Sequence, residues 1–110
     1  MTERNIGKLV ARRRQLLAEL GECRLIIRGT AFARYAVCSR PACPCHRGEK
    51  HGPRHYVAVT RVRRQSQHYV PVSQVKTVYA GVAQFHRVMA IISEITDLNL
   101  QLMQARALNQ

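Results

Sequence analysis

Acidic side chains are scarce in this chain. Its 110 residues carry 6 Asp and Glu against 18 Lys and Arg. A metal-dependent nuclease needs clustered carboxylates to hold its ions, and the stretch from Cys38 to Tyr56 offers only Glu49. Trp is absent and there are only 2 Phe and 4 Tyr. With so few aromatics and so many aliphatics, packed helices are favoured over a large β core. Long apolar runs are missing too. Leu25-Ile26-Ile27 is far too short to span a bilayer, and the charged start at Glu3 and Arg4 lacks the apolar centre of a signal peptide. The expectation is a cytoplasmic protein, off the membrane, with reduced thiols rather than a disulfide framework. No internal repeat, low-complexity tract or linker divides the chain, so residues 1–110 are expected to form one domain.

What is abundant is positive charge, mostly Arg. Such an excess favours polyanionic partners, and nucleic acid over a merely solubilising surface, which mixes signs more evenly. The charge is uneven along the chain. Residues 1–37 and 38–72 hold most of it, whereas residues 73–110 are close to neutral. A binding surface at one end and an assembly surface at the other follow.

Residues 1–28 read as a helix, with Thr2 as N-cap and Glu3 in the first turn. Ile6, Leu9, Leu16, Leu20, Cys23 and Ile27 fall on alternating three- and four-residue steps if Arg13 is counted among them. Gly7 and Gly21 weaken that pattern. Cys23 lies on the seam and reads as a core residue rather than a ligand. Thr30–Val37, His55–Val62 and Ser66–Val70 read as strands, with a polar turn over Arg63–Gln65 that lacks the Asn-Gly or Asp-Gly of a tight hairpin. The β head thus spans 30–72. Ser73 is the expected N-cap of a long helix over 73–108, with a stripe of Val78, Val82, Phe85, Val88, Ile92, Ile95, Leu98, Leu102 and Ala105. The fold class is α+β: an N-terminal helix, a three-stranded antiparallel sheet with a Cys/His loop, and a long C-terminal helix packed antiparallel on the first. The longer helix leaves apolar stripe over, which a second copy of the chain in a homodimer would cover.

The stretch Cys38–Tyr56 holds three of the 4 cysteines and three of the 5 histidines. Cys38, Cys43 and Cys45 are spaced C-x4-C-x-C, and in extended chain Cys43 and Cys45 present their thiolates to one side. Pro41 and Pro44 stiffen the loop. A fourth ligand comes from His46, His51 or His55. His46 follows Cys45 directly and points away, while Gly52-Pro53 can turn the His51 imidazole back. Cys38, Cys43, Cys45 and His51 would make a closed tetrahedral zinc site; the alternative is a tight loop with reduced cysteines tucked under the sheet. Arg40, Arg47, Lys50 and Arg54 crowd the same loop, Arg61, Arg63 and Arg64 crowd the hairpin turn, and Arg12, Arg13 and Arg14 form a basic turn of the first helix. All ten are candidate contacts to phosphate.

Cys38-Ser-Arg-Pro-Ala-Cys-Pro-Cys, then Gly48-Glu-Lys-His-Gly-Pro, then Tyr69-Val70-Pro71 resemble a family of short uncharacterised prokaryotic and mobile-element proteins with a C-G-K-P-x-C-x-C … H-G-P pattern. The resemblance covers about Thr30 to Leu102. It implies an α–β–α arrangement and a part in nucleic-acid transactions, and carries no catalytic residues with it. The chain departs from the pattern at Ser39 and Ala42, where glycine is usual, and at Arg54, where an aromatic is usual. No catalytic set stands out. His51 and His55 flank Gly-Pro rather than alternating beside Tyr69, and a Cys45–His55 nucleophile has no orienting acid. The expected function is that of a non-enzymatic DNA- or RNA-binding accessory factor, DNA slightly favoured. A helical adaptor for another protein of a nucleoprotein complex is the alternative.

Overall fold

The computed structural model describes residues 2–48 and 50–110. The chain runs helix, strand, Cys/His loop, two strands, helix. The helices are α1 (Glu3–Gly21) and α2 (Val75–Gln104), and the strands β1 (Thr30–Ala36), β2 (His51–Arg61) and β3 (Arg64–Val70) form an antiparallel sheet in the order β1-β2-β3. The expected α+β architecture is present. It falls into two compact units, Met1–Ile26 with Gln84–Gln110, and Ile27–Ala83.

The first unit is a helix pair. Thr2 caps α1, its hydroxyl accepting from the Asn5 amide at 3.3 Å. The helix stops at Gly21, earlier than the apolar spacing suggests. The amides of Glu22 and Cys23 turn back to the carbonyls of Glu19 and Leu20, where glycine's low helix propensity favours an end. Leu16, Ile91 and Leu98 are buried together, with Leu9, Leu20 and Ile95 packed against them. Ile91, rather than Ile92, therefore occupies the core, and Ile92 remains 43% exposed. At about 100° per residue Ile91 points in the mean direction of Ile95, Leu98 and Leu102, whereas Ile92 lies about 100° round from Ile91. Charge pairs fix the direction. The Arg12 guanidinium grips both Glu94 oxygens (2.6 and 3.1 Å), and that of Arg87 grips both Glu19 oxygens (2.9 Å each). Positions rising along α1 meet positions falling along α2, so the helices are antiparallel. Arg13 sits in the seam, donating to Asn99 Oδ1 at 2.9 Å and to the carbonyls of Leu108 and Gln110. The end of α2 has no glycine. Arg106 takes the left-handed conformation (φ 56°), and the amides of Arg106 and Ala107 bond back to Met103 and Leu102 in a Schellman cap.

The second unit is the sheet with the opening turns of α2. Val57, Val70 and Val82 are buried, and Ile27, Ala31, Val59, Val75 and Val78 pack on them. Ile27, expected on the first helix, instead lies between α1 and β1, and its amide donates to the Gly81 carbonyl at 3.0 Å. Ser73 does not cap α2. It lies in a 3-10 turn, Val72–Gln74, that follows Pro71. The hairpin is tighter than its composition suggests. Arg61 pairs with Arg64, so Val62 and Arg63 alone make the turn, with Arg63 at φ 59°. β2 also starts four residues before the expected His55 and carries a bulge. Arg34 pairs with Arg54 but Ala36 pairs with His51, so Gly52 and Pro53 together face Tyr35. Gly52 has φ +141°, and a Cβ there would come within 2.9 Å of the Tyr35 ring and 3.0 Å of the Arg34 carbonyl. Only glycine fits.

Candidate metal centre and basic surface

The Cys/His loop hangs between β1 and β2. Cys43 begins a 3-10 turn, Pro44–His46, and the Arg47 and Gly48 amides close onto the Pro44 carbonyl. This turn folds Cys45 back under Cys38. The Cys38 amide donates to Cys45 Sγ at 3.3 Å, and the two sulfurs stand 3.6 Å apart. From the other side β2 delivers His51, whose Nε2 lies 3.1 Å from Cys43 Sγ. The bulge at Gly52-Pro53 adds one residue to β2 directly after His51, which alters the direction of its side chain relative to an unbroken β2.

Three sulfurs and one imidazole nitrogen, from Cys38, Cys43, Cys45 and His51, all lie within 4.8 Å of one another. Ligands around a tetrahedral zinc, with Zn–S near 2.3 Å and Zn–N near 2.0 Å, sit about 3.5–3.8 Å apart. The set fits such an ion in kind and number, with its donors gathered close to that spacing, and the four residues could hold a metal. The two other candidate histidines are engaged elsewhere. His46 Nε2 lies 2.9 Å from the Cys38 carbonyl, and His55 Nδ1 lies 3.1 Å from the Tyr79 hydroxyl. Cys23 belongs to the helix pair, where the Gln84 amide donates to its sulfur at 2.8 Å. The thiols differ in acidity. Cys38 is held below its ordinary value first by a backbone hydrogen bond at Arg40, and Cys43 by one at Cys45, whereas burial pushes Cys45 up. A cation among them would favour the thiolate at all three.

Basic residues lie on the loop of this centre and at the opposite end of β2. Arg40, Arg47, Lys50 and Arg54 are exposed on the loop and the start of β2, and Arg61, Arg63 and Arg64 are exposed at the hairpin. Arg47 lines the same surface depression as Cys43 and His51. Arg61 and Arg64 line another with Ser66 and His68. Both of the ion pairs found among the described residues, Arg12–Glu94 and Arg87–Glu19, lie in the helix unit. Glu49, the single acid in the sequence of the second unit, is outside the described residues. Of the helical candidates, Arg12 and Arg13 are held by α2 and the C-terminal carbonyls, while Arg14 is exposed.

The match that places the chain among relatives spans most of α1, the whole sheet and the opening of α2. The chain belongs to the DUF6788 family. The DUF6788 model, described as a domain of unknown function, matches residues 6–80, from α1 through the Cys/His loop and sheet to the start of α2. The candidate metal ligands and the loop and hairpin arginines all fall inside the DUF6788 region. No curated protein and no solved structure matches the chain.

One residue of interest was not singled out by charge clustering. Arg34 lies alone in β1, yet its guanidinium sits over two rings, 5.5 Å from the centre of Phe32 and 5.1 Å from that of Tyr56. The alternation of β1 gives Phe32 and Arg34 a common face. Their cross-strand partners emerge only from the register.

Proposed function

We propose that the sheet unit binds nucleic acid through its phosphates, with a zinc ion held by Cys38, Cys43, Cys45 and His51 stiffening the loop that carries part of the contact surface. The observation behind this reading is the pairing of like charges. Arg34 stands opposite Arg54 across β1 and β2, and Arg61 stands opposite Arg64 across β2 and β3. Like charges directly opposite each other destabilise a sheet. Two such pairs, neither of them joined to a carboxylate among the described residues, are readily explained if a polyanion offsets them. Arginine suits this task because its planar fork meets phosphate oxygens two at a time. Zinc here is structural, since four protein ligands leave no position open for a substrate or an activated water. The protein acts as a non-enzymatic accessory factor.

Fluorescence anisotropy with duplex DNA, single-stranded DNA and structured RNA over a salt series tests the reading. Log affinity should fall steeply and linearly with log salt. Replacing Arg61, Arg63 and Arg64 by Gln should reduce that slope by roughly one for each phosphate no longer neutralised. Replacing Lys8 and Arg106, in the helix unit, should change it little. Absence of binding to every probe at low salt would overturn the proposal.

A second reading rests on the side of α2 that the first unit leaves bare. Met89, Ile92, Leu100 and Met103 are each between 43% and 51% exposed and recur at helical spacing. A homodimer formed on this stripe, or an adaptor role toward another protein of a nucleoprotein complex, would cover them. Light scattering of nuclease-treated protein separates the cases. A discrete oligomer that shifts no nucleic acid favours the adaptor, and a monomer at micromolar concentration removes the homodimer.

A further inference from the structure

The two faces of the sheet differ. Alternation puts Ala31, Val57, Val59 and Val70 on the face that packs on the first turns of α2. The other face carries Phe32, Tyr56 and Tyr69 in one row, because Phe32 pairs with Tyr56 and Tyr56 with Tyr69. The row crosses all three strands. Phe32 and Tyr56 are stacked with centroids 5.7 Å apart, and Tyr69 meets Tyr56 edge-on at 6.0 Å. One step along the strands the same face carries the Arg34–Arg54 pair.

Such a row would ordinarily be covered. Here Tyr69 is 56% exposed, and Arg34 and Arg54 are exposed beside it. Arg34 is positioned from two sides, its guanidinium over the Phe32 and Tyr56 rings and its Nη2 donating to Gln67 Oε1 at 3.3 Å. It thus offers a flat cationic surface next to the free ring of Tyr69. Aromatic rings and guanidinium planes are the two surfaces on which unpaired bases stack, and they tolerate any base because every base has a π face. A duplex keeps its bases stacked on one another and cannot use them.

We infer that this open face, Phe32, Arg34, Arg54, Tyr56 and Tyr69, is a stacking platform for single-stranded nucleic acid. Tyr69 and the Arg34 guanidinium each take a base, Phe32 and Tyr56 support Arg34 from below, and Arg54 meets the backbone. This inference rests on the phosphate-binding reading and adds to it the strandedness of the ligand. A protein ligand would use the aromatics too, but the adjacent arginine pair and the lack of any carboxylate among the described residues of the face favour a polyanion with exposed rings.

The test uses the full-length, zinc-loaded protein and three labelled probes of one sequence: single-stranded DNA, single-stranded RNA and duplex DNA. The single strands should bind more tightly than the duplex at equal salt. Tyr69→Ala should weaken single-strand binding by roughly 5- to 100-fold, the value of one stacked base, while leaving duplex binding nearly unchanged. Tyr69→Phe should restore it, and tyrosine emission should be quenched by the single strands and not by the duplex. The RNA and DNA arms show which backbone the face prefers. Far-UV circular dichroism and zinc content of each variant confirm that the sheet is intact. Equal wild-type affinity for single strand and duplex overturns the inference, as does an intact Tyr69→Ala variant that loses nothing or loses both alike. If the Arg61, Arg63 and Arg64 replacements still flatten the salt slope in those cases, the phosphate reading survives alone. If no probe binds, both fall.

Discussion

The helix unit and the sheet unit of this protein hold themselves together by different means. In the helix unit Leu16 and Ile91 are all but fully buried, and Arg12 and Arg87 each find a carboxylate on the facing helix. In the sheet unit the buried core is three valines, Val57, Val70 and Val82, and basic side chains face one another across the strands. A small apolar core stabilises weakly, and like charges paired across the strands work against it. What the sheet unit has instead is four soft and borderline donors gathered at one point. The contrast teaches that one chain can devote one part to cohesion and gather its candidate ligand-binding groups in another.

The sharpest way to break this comparison is to remove the metal ligands. Cys43→Ser should abolish stoichiometric zinc and unfold the loop and sheet, because a structural zinc site contributes on the order of 10 kcal/mol of folding free energy. The helix pair should persist, so circular dichroism should retain most helical signal while sheet resonances collapse in NMR spectra. Well under one zinc per gently purified chain by elemental analysis would contradict the proposed centre. The reciprocal substitution, Leu16→Ala, should cost about 2–5 kcal/mol in the helix unit and leave the zinc content unchanged. If it released the metal as well, the two units would not be independent.

Gly52→Ala probes how the bulge serves the metal centre. With φ +141° and the Tyr35 ring in the way, the new methyl forces the strand to shift where it delivers His51. Metal affinity, read by competition with a chromophoric chelator, should fall about tenfold or more, as when the residues that orient a ligand are disturbed. Unchanged affinity would mean that the bulge is incidental to His51.

The smallest effect concerns pH. The Arg12 guanidinium, through its hydrogen bonds, holds Glu94 below the ordinary carboxylate value of 4.5, and Arg87 does the same for Glu19. A carboxylate whose pKa is lowered by folding binds fewer protons in the native state, so its contribution is present above the unfolded value and is lost as the pH falls through the folded one. Both pairs are exposed enough for solvent to screen them. Acidification from about pH 6 to below about 4 should lower the melting temperature of the helix unit slightly, and Glu94→Gln should flatten that dependence. An identical pH profile for the variant would remove the pair from the account.

The sequence by itself determined much of this architecture. Three- and four-residue spacing places Leu9, Leu16 and Leu20 on one helix face, and two-residue alternation places Val57 and Val59 on one sheet face, because both are set by local backbone geometry. The C-x4-C-x-C spacing with His51 was legible as a candidate ligand set because thiolates and imidazole are the donors of a tetrahedral zinc site, and the fold brings the four together. Only the tertiary structure decided the rest. Whether Ile91 or Ile92 faces the core depends on how α1 lies against α2, since adjacent residues on a helix differ by only a fraction of a turn. That Arg12 and Arg13 are held by the opposite helix is invisible in a basic run, because their partners stand some eighty to a hundred positions away. The bulge that carries His51 to the thiols, and the row of Phe32, Tyr56 and Tyr69, come from strand register. Register is a property of pairs of strands rather than of any one of them, and a slip of one residue in any strand would have turned that strand's ring to the other face and broken the row.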